Sequence, residues 1–346
     1  MRTATLALVL ILIASAAMVS GATTNTYPVA HKELTPVMQP DAEGREVGED
    51  IATAIPITEL PFACEGSTCG FLDDYDVACP YPESTSPDVV YSYAATSDLI
   101  VDVSLCLSTY DTKIYIFENA AGDIVCCNDD ACGPLGYQSF MENVFLYAGN
   151  TYYFVVDGYG GHCGDYTLEI IPQEPCELSV PHGYIGEAEP PCGPGFVDIN
   201  NGGCNSDPPV FQDIMPSSDP IYIVGASGTF DEFSRDTDWY QIYVSVPNTI
   251  TLTATAQFPL LIFFLDGNLP MGCDDPGLVI SSATGSPCET VTLSETVGPG
   301  LYWLWVGPSV FSCQPCGLEY VLMIEGYIGP SPVQDESWAT IKSLYR

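Results

Sequence analysis

The chain has 346 residues and three histidines, His31, His162 and His182. None sits in an HExxH pair, no GxSxG elbow or phosphate-cradling P-loop occurs, and no Ser/His/Asp set has a recognisable local context. Carboxylates are the abundant reactive group: 45 acidic residues face 7 basic ones, a formal charge of −38. Among so many acids, carboxylate pairs at glycosidase spacing arise by chance and argue little for hydrolysis. The expectation is a non-enzymatic protein. What crowded carboxylates without cations do well is hold a hard ion such as Ca²⁺. The candidate ligands are Asp88, Asp111, Asn128, Asp129, Asp130 and Asp157.

Sulfur is the second chemical resource. Fifteen cysteines all lie beyond residue 60. An odd count leaves at least one thiol free or intermolecular. Cys69, Cys79, Cys106, Cys126, Cys127, Cys132, Cys163, Cys273, Cys288, Cys313 and Cys316 are the disulfide candidates. Cys313-Gln-Pro-Cys316 has redox or zinc spacing, but a second CxxC is missing and no helix follows, which favours a loop disulfide. Cys127–Cys132 and Cys273–Cys288 are two further pairings among the many open ones. Neighbours Cys126 and Cys127 should point to opposite faces of a strand and seek different partners.

The amino terminus explains why disulfides are permitted. Arg2, an apolar run from Leu6 to Ile13 and small residues at Ala14-Ser15-Ala16 and Ser20-Gly21-Ala22 form a secretory signal over residues 1–22. The run is too short to span a bilayer. Export leads to an oxidising compartment. The acidic balance excludes nucleic acid, which needs a basic footprint. Hydrophobic residues at 47% exclude the disordered class.

The elements that must carry these groups read as β throughout. Strands are expected at Asp88–Tyr93, Leu99–Leu105, Lys113–Phe117, Ile124–Cys127, Asn143–Leu146, Thr151–Asp157 and Asp165–Ile171, between Gly, Pro, Asn and Asp clusters. Short connections make neighbours antiparallel, so an all-β fold of antiparallel sandwiches, jelly-roll-like, follows. The second half repeats the first. Val90-Tyr91 matches Trp239-Tyr240, Cys127-Asn-Asp129 matches Cys273-Asp-Asp275, and Asp165-Tyr-Thr-Leu168 matches Glu319-Tyr-Val-Leu322, in the same order at similar offsets. The expected layout is a linker 23–47, a sandwich 48–173, a linker 174–185, a second sandwich 186–327 and a tail 328–346.

Alternation of seven strands brings the loops after the second, fourth and sixth to one end. That end receives Asp111, Asn128-Asp-Asp130 and Asp157, with Asp88 arriving at the head of the first strand. Only Lys113 and Arg235 are basic between Glu46 and Ile341, so salt bridges cannot neutralise the group. In the second copy Gly307-Pro-Ser replaces Asp157-Gly-Tyr and removes a ligand.

Cys69-Gly-Phe-Leu-Asp-Asp-Tyr75, Ser86-Pro-Asp-Val-Val-Tyr91, Tyr110-Asp-Thr-Lys113, Cys127-Asn-Asp-Asp130 and Ala148-Gly-Asn-Thr-Tyr-Tyr153 through Val156-Asp-Gly-Tyr-Gly160 resemble the bacterial pre-peptidase C-terminal (PPC) domain over about residues 50–171. Arg235-Asp-Thr-Asp-Trp-Tyr240 with Asn201-Gly-Gly-Cys-Asn205 is similar to a divergent second copy over about 186–326. The resemblance implies small secreted sandwiches, usually appended to exported hydrolases and aiding export, surface placement or substrate contact. No peptidase domain precedes them here. The expected function is a secreted binding or surface-associated module whose partner is an extracellular polysaccharide or protein. The alternatives are an accessory module beside a partner hydrolase and an unrecognised extracellular hydrolase. In the tail, Trp338, Ile341, Leu344 and Tyr345 make one apolar helical face that export or attachment machinery could read.

Overall fold

The structure is a computed structural model and describes residues 47–329 apart from 79, 83, 133–135, 188, 232–233 and 276. The signal, His31, Cys79 and the apolar tail face therefore lie outside the described residues. Two tandem β-sandwiches make up the rest. The first uses β1 (Ile55–Pro56), β2 (Phe62–Ser67), β3 (Val89–Ala94), β4 (Leu99–Ser104), β5 (Thr112–Glu118), β6 (Ile124–Asn128), β7 (Phe140–Leu146), β8 (Thr151–Gly158) and β9 (Asp165–Gln173). The second uses β10 (Ile185–Gly186), β11 (Gln212–Asp213), β12 (Ile221–Ser227), β13 (Thr229–Phe230), β14 (Ser234–Arg235), β15 (Asp238–Val244), β16 (Asn248–Ala256), β17 (Leu260–Asp266), β18 (Val279–Gly285), β19 (Val291–Val297), β20 (Gly300–Pro308) and β21 (Leu318–Glu325).

The two copies share one topology. In the first, β1-β3-β8-β5-β6 faces β2-β9-β4-β7; in the second, β11-β15-β20-β17-β18 faces β10-β12-β21-β16-β19. The added β10 and the hairpin β13–β14 are the second copy's own. Pairing is antiparallel except where the two-residue strands β1, β10 and β11 join an edge in parallel. The seven expected strands all form. β2 escapes the pattern because Ala63, Glu65, Gly66 and Ser67 dilute its apolar alternation.

Each sandwich closes over its own core. Val101, Val103, Ile114, Ile116, Phe154, Leu168 and Ile170 fill the first; Ile242, Leu252, Ile262, Phe264, Leu304, Leu322 and Ile324 fill the second. Complete burial of such side chains stabilises by about 1.5–3 kcal/mol each. A tyrosine pair marks the same point in both cores. Tyr91 and Tyr166 hydroxyls lie 2.7 Å apart, and Tyr240 and Tyr320 hydroxyls are bonded likewise. Gly66 and Gly225 sit beneath Tyr166 and Tyr320, where any Cβ would strike the ring.

The sandwiches are clamped together. Cys126 of β6 is bonded to Cys313 in the β20–β21 loop. Beside it Ser312 Oγ donates to the Cys127 carbonyl at 3.1 Å, and Gln314 Nε2 donates to the Glu142 carbonyl at 3.2 Å. Asn143 holds a left-handed φ of 59° at the β4–β7 bulge and donates from Nδ2 to the Gln257 carbonyl at 3.1 Å. The first eight cysteines are thus not a self-contained set.

The remaining sulfurs correct the expected pairings. Cys132 bonds Cys106, not Cys127; Cys273 bonds Cys204, and Cys288 bonds Cys176. Cys316 bonds Cys192, so Cys313-Gln-Pro-Cys316 closes no loop on itself. Cys69 bonds Cys163, and Cys127 is also in a disulfide. The sulfurs of one CxxC reach different elements because its chain runs across the junction between sandwiches. Cys126 joins the first core while Cys127 packs in a separate apolar cluster outside the sheet, the opposite faces that alternation requires.

Candidate metal centre

The acidic end of the first sandwich forms as expected, but its carboxylates divide by role. Asp111, Asp129 and Asp130 bring one oxygen each within 4.8 Å of one another. Burial, then Asp130 and Asp111, push Asp129 up to about 7. The other three candidates serve the fold. Asp88 is fully buried and accepts the Asp74 and Tyr75 amides at 3.0 Å, folding the preceding loop; burial raises it to about 8. Asn128 Oδ1 accepts the Phe140 amide at 2.9 Å. Asp157 accepts the Gly158 amide at 2.6 Å and Ser84 Oγ at 3.0 Å.

Asp157 also faces a cation. Lys113 is wholly buried, its Nζ 4.0 Å from Asp157 Oδ2 and bonded to the Val77 and Tyr81 carbonyls at 2.7 and 3.0 Å. It lies 4.6 Å from the Tyr81 ring centre. Burial lowers its pKa; burial likewise raises Asp157 and Asp129 to about 7, and the charge of Lys113 offsets only part of that rise. The expectation that these acids crowd without a cation therefore fails here: Lys113 reaches inward beneath them.

The second sandwich gathers carboxylates at the equivalent end from different elements. Glu187 and Glu189 follow β10, Asp198 and Asn201 come from the loop before β11, and Asp236 and Asp238 head β15. In extended chain, acids two apart face the same way, so Asp236-Thr-Asp238 presents two carboxylates to one side. Two groups of three have ligand oxygens within 4.8 Å of one another: Glu187, Glu189 and Asp238, and Glu189, Asp198 and Asp236. Glu189 belongs to both.

Surrounding contacts fix the positions of these groups. Glu187 Oε1 accepts the Ala226 amide at 2.7 Å, and Gly225 leaves room for both Glu187 and Tyr320. Asp198 Oδ1 accepts the Asn200 and Asn201 amides at 2.8 and 3.0 Å. Asn201 Nδ2 donates to Asp238 Oδ1 at 2.6 Å. Cys192–Cys316 and Cys204–Cys273 pin the contributing segments at either side. Burial is the first cause raising Glu187, Glu189, Asp236 and Asp238, and mutual repulsion adds to each.

Sequence reasoning missed these residues, although Arg235-Asp-Thr-Asp-Trp-Tyr240 and Asn201 stood in the repeat motif. The two acid-x-acid pairs were the available signal. The counterpart of the first copy's loop, Cys273-Asp-Asp275, supplies no such group: Asp275 Oδ1 accepts the Gly277 amide.

No family model matches the chain, and no curated protein matches it. Solved structures align only loosely. The CUB1-EGF-CUB2 domains of rat MASP-1 are 10% identical, covering 78% of this chain and 99% of that one, with a TM-score of 0.18. The ANX1 ectodomain from Arabidopsis thaliana is 8% identical, covering 85% and 96%, with a TM-score of 0.20. An allantoicase is 12% identical, covering 69% and 77%, with a TM-score of 0.19.

Proposed function

We propose that the chain is a secreted, non-enzymatic tandem β-sandwich that acts as an extracellular binding or surface-associated module. The observation that carries this reading is the disulfide network. Six bonds among the described residues tie segments within and between the sandwiches, and a set this dense is characteristic of an oxidising compartment. No helix among the described residues is long and apolar enough to cross a membrane. His162 and His182 are exposed on loops. Asp88, Asp157, Glu187 and Asp198 accept backbone amides, and Asp157 also faces Lys113, an arrangement suited to holding loops or ions. The sequence motifs resembling PPC domains support the secreted reading, and a second reading, an accessory module working beside a partner hydrolase, rests on the same resemblance.

Screening the oxidised mature chain against extracellular polysaccharides and matrix proteins tests this. Saturable binding supports the module. Turnover of a polysaccharide or peptide that is lost on a single carboxylate substitution would replace it with the hydrolase reading.

A further inference from the structure

The acidic cluster of the second sandwich is the least satisfied region among the described residues. Glu189 Oε1 and Oε2, Asp198 Oδ2, Asn201 Oδ1, Asp236 Oδ1 and Oδ2, and Asp238 Oδ2 are buried atoms without a hydrogen-bond donor. Asp238 and Asn201 are wholly buried and Asp236 is 2% exposed. Buried polar atoms are nearly always paired, and a buried charge without a partner is strongly destabilising. Here seven such oxygens belong to five side chains, four of which fall in the two carboxylate groups. Protein cations do not reach them. Lys113 and Arg235 are the basic residues among those described. Lys113 lies in the other sandwich, while Arg235 donates to the Pro308 carbonyl at 2.7 Å and stacks on Phe311 and Trp305.

We infer that this cluster binds calcium. Ca²⁺ takes 6–8 oxygen ligands at about 2.3–2.6 Å, so two of its ligands lie at most about 5 Å apart. Both groups of three meet that limit. Carboxylate and amide oxygens are hard donors, and no imidazole or free thiol belongs to either group, which disfavours zinc. Magnesium dehydrates reluctantly and keeps several waters rather than taking an all-protein cage, so a site this rich in protein oxygens favours calcium. Asn201, Asp236 and Asp238 form the closed floor, while half-buried Glu187, Glu189 and Asp198 leave a way in. Glu189, shared by both groups, is the central ligand.

The test uses the full oxidised chain. Tb³⁺, a luminescent stand-in for calcium, should be sensitised by the adjacent Tyr240 and Tyr320 and displaced by Ca²⁺. Thermal unfolding in Ca²⁺ at a hundredfold excess over Kd should rise by about 5 °C or more over chelator, with Mg²⁺ failing to reproduce it. Glu189→Gln should weaken calcium binding at least tenfold. In chelator the same variant should melt at or above wild type, because it removes repulsion. Asp123→Asn, an exposed acid of the first sandwich outside every carboxylate group, should leave calcium binding unchanged. Absence of a calcium-dependent shift would overturn the inference. So would a shift abolished by Asp129→Asn and kept by Glu189→Gln.

Discussion

Asp238 stands at the head of β15 where Val89 stands at the head of β3. Each lies two residues before the tyrosine of the buried pair, and each is fully buried. Val89 is opposite Val156 and Asp238 opposite Val306, the same rung of the same ladder. One copy spends this position on packing; the other places a carboxylate there among four more.

The exchange predicts opposite effects of substitution. Asp238→Asn should raise the melting temperature in chelator by a few degrees, through relief of repulsion, and remove the calcium increment. Val89→Asp in the first sandwich puts an unpaired charge in an apolar site. It should cost about 3 kcal/mol or more by denaturant unfolding.

Lys113 and Asp157 face each other across β5 and β8, and the equivalent rung of the second sandwich is Leu261 and Gly307. Lys113→Leu alone strands Asp157 and should destabilise by about 3–5 kcal/mol. Adding Asp157→Gly, which copies the second sandwich, should recover most of that loss. Equilibrium unfolding of the two singles and the double gives the cycle. Simple addition of the two losses would mean the residues do not act as a pair.

Protons should partly stand in for the metal. Burial raises Asp88 to about 8 and Asp129 to about 7, and raises the second-sandwich carboxylates as well. A carboxyl raised above its unfolded value binds protons better in the folded state. Its contribution is complete below about pH 4 and is lost as pH climbs through the folded pKa. Calcium-free protein should therefore be more stable at pH 5 than at pH 8. Saturating calcium should flatten that slope. Melting curves across pH, with and without calcium, check both statements.

Cys126–Cys313 closes a loop with a sequence separation of 187. The double variant Cys126→Ser, Cys313→Ser should lose about 3–5 kcal/mol. Calorimetry should then resolve separate transitions for the two sandwiches where the native chain shows one. A single unshifted transition would mean that the hydrogen bonds from Asn143 and Gln314 suffice as the clamp.

Cys64 carries the free thiol among the described residues, half-buried and bonded to the Tyr91 hydroxyl. Burial is the main cause raising it to about 11. Since the thiolate is the nucleophile, alkylation at pH 8 should be slow in the folded chain and fast after denaturation.

Much of this was legible before any coordinates. Alternation and turn residues marked the seven main strands, and Tyr91 and Tyr166 with their echoes Tyr240 and Tyr320 marked the repeat, because a buried tyrosine pair is hard to move. The acidic end was legible too, since strand order alone sends the loops there. Ligand choice was not. Asp88, Asn128 and Asp157 look like ion ligands in sequence, but Asp88 is held by the Asp74 and Tyr75 amides, Asn128 by the Phe140 amide, and Asp157 by the Gly158 amide, Ser84 and Lys113, partners that mostly come from elsewhere in the fold. Glu187, Glu189 and Asp198 fall in irregular chain before the main strands, where no periodicity speaks. Disulfide partners were hidden for the same reason: Cys126 and Cys313 meet only because the sandwiches pack together.

The most direct measurement is a crystal structure of the oxidised chain grown in millimolar calcium, with anomalous scattering used to identify metal. The account predicts anomalous density in the second sandwich about 2.4 Å from oxygens of Glu189, Asp236 or Asp238. A cluster there without metal, or calcium only at Asp111, Asp129 and Asp130, would contradict it.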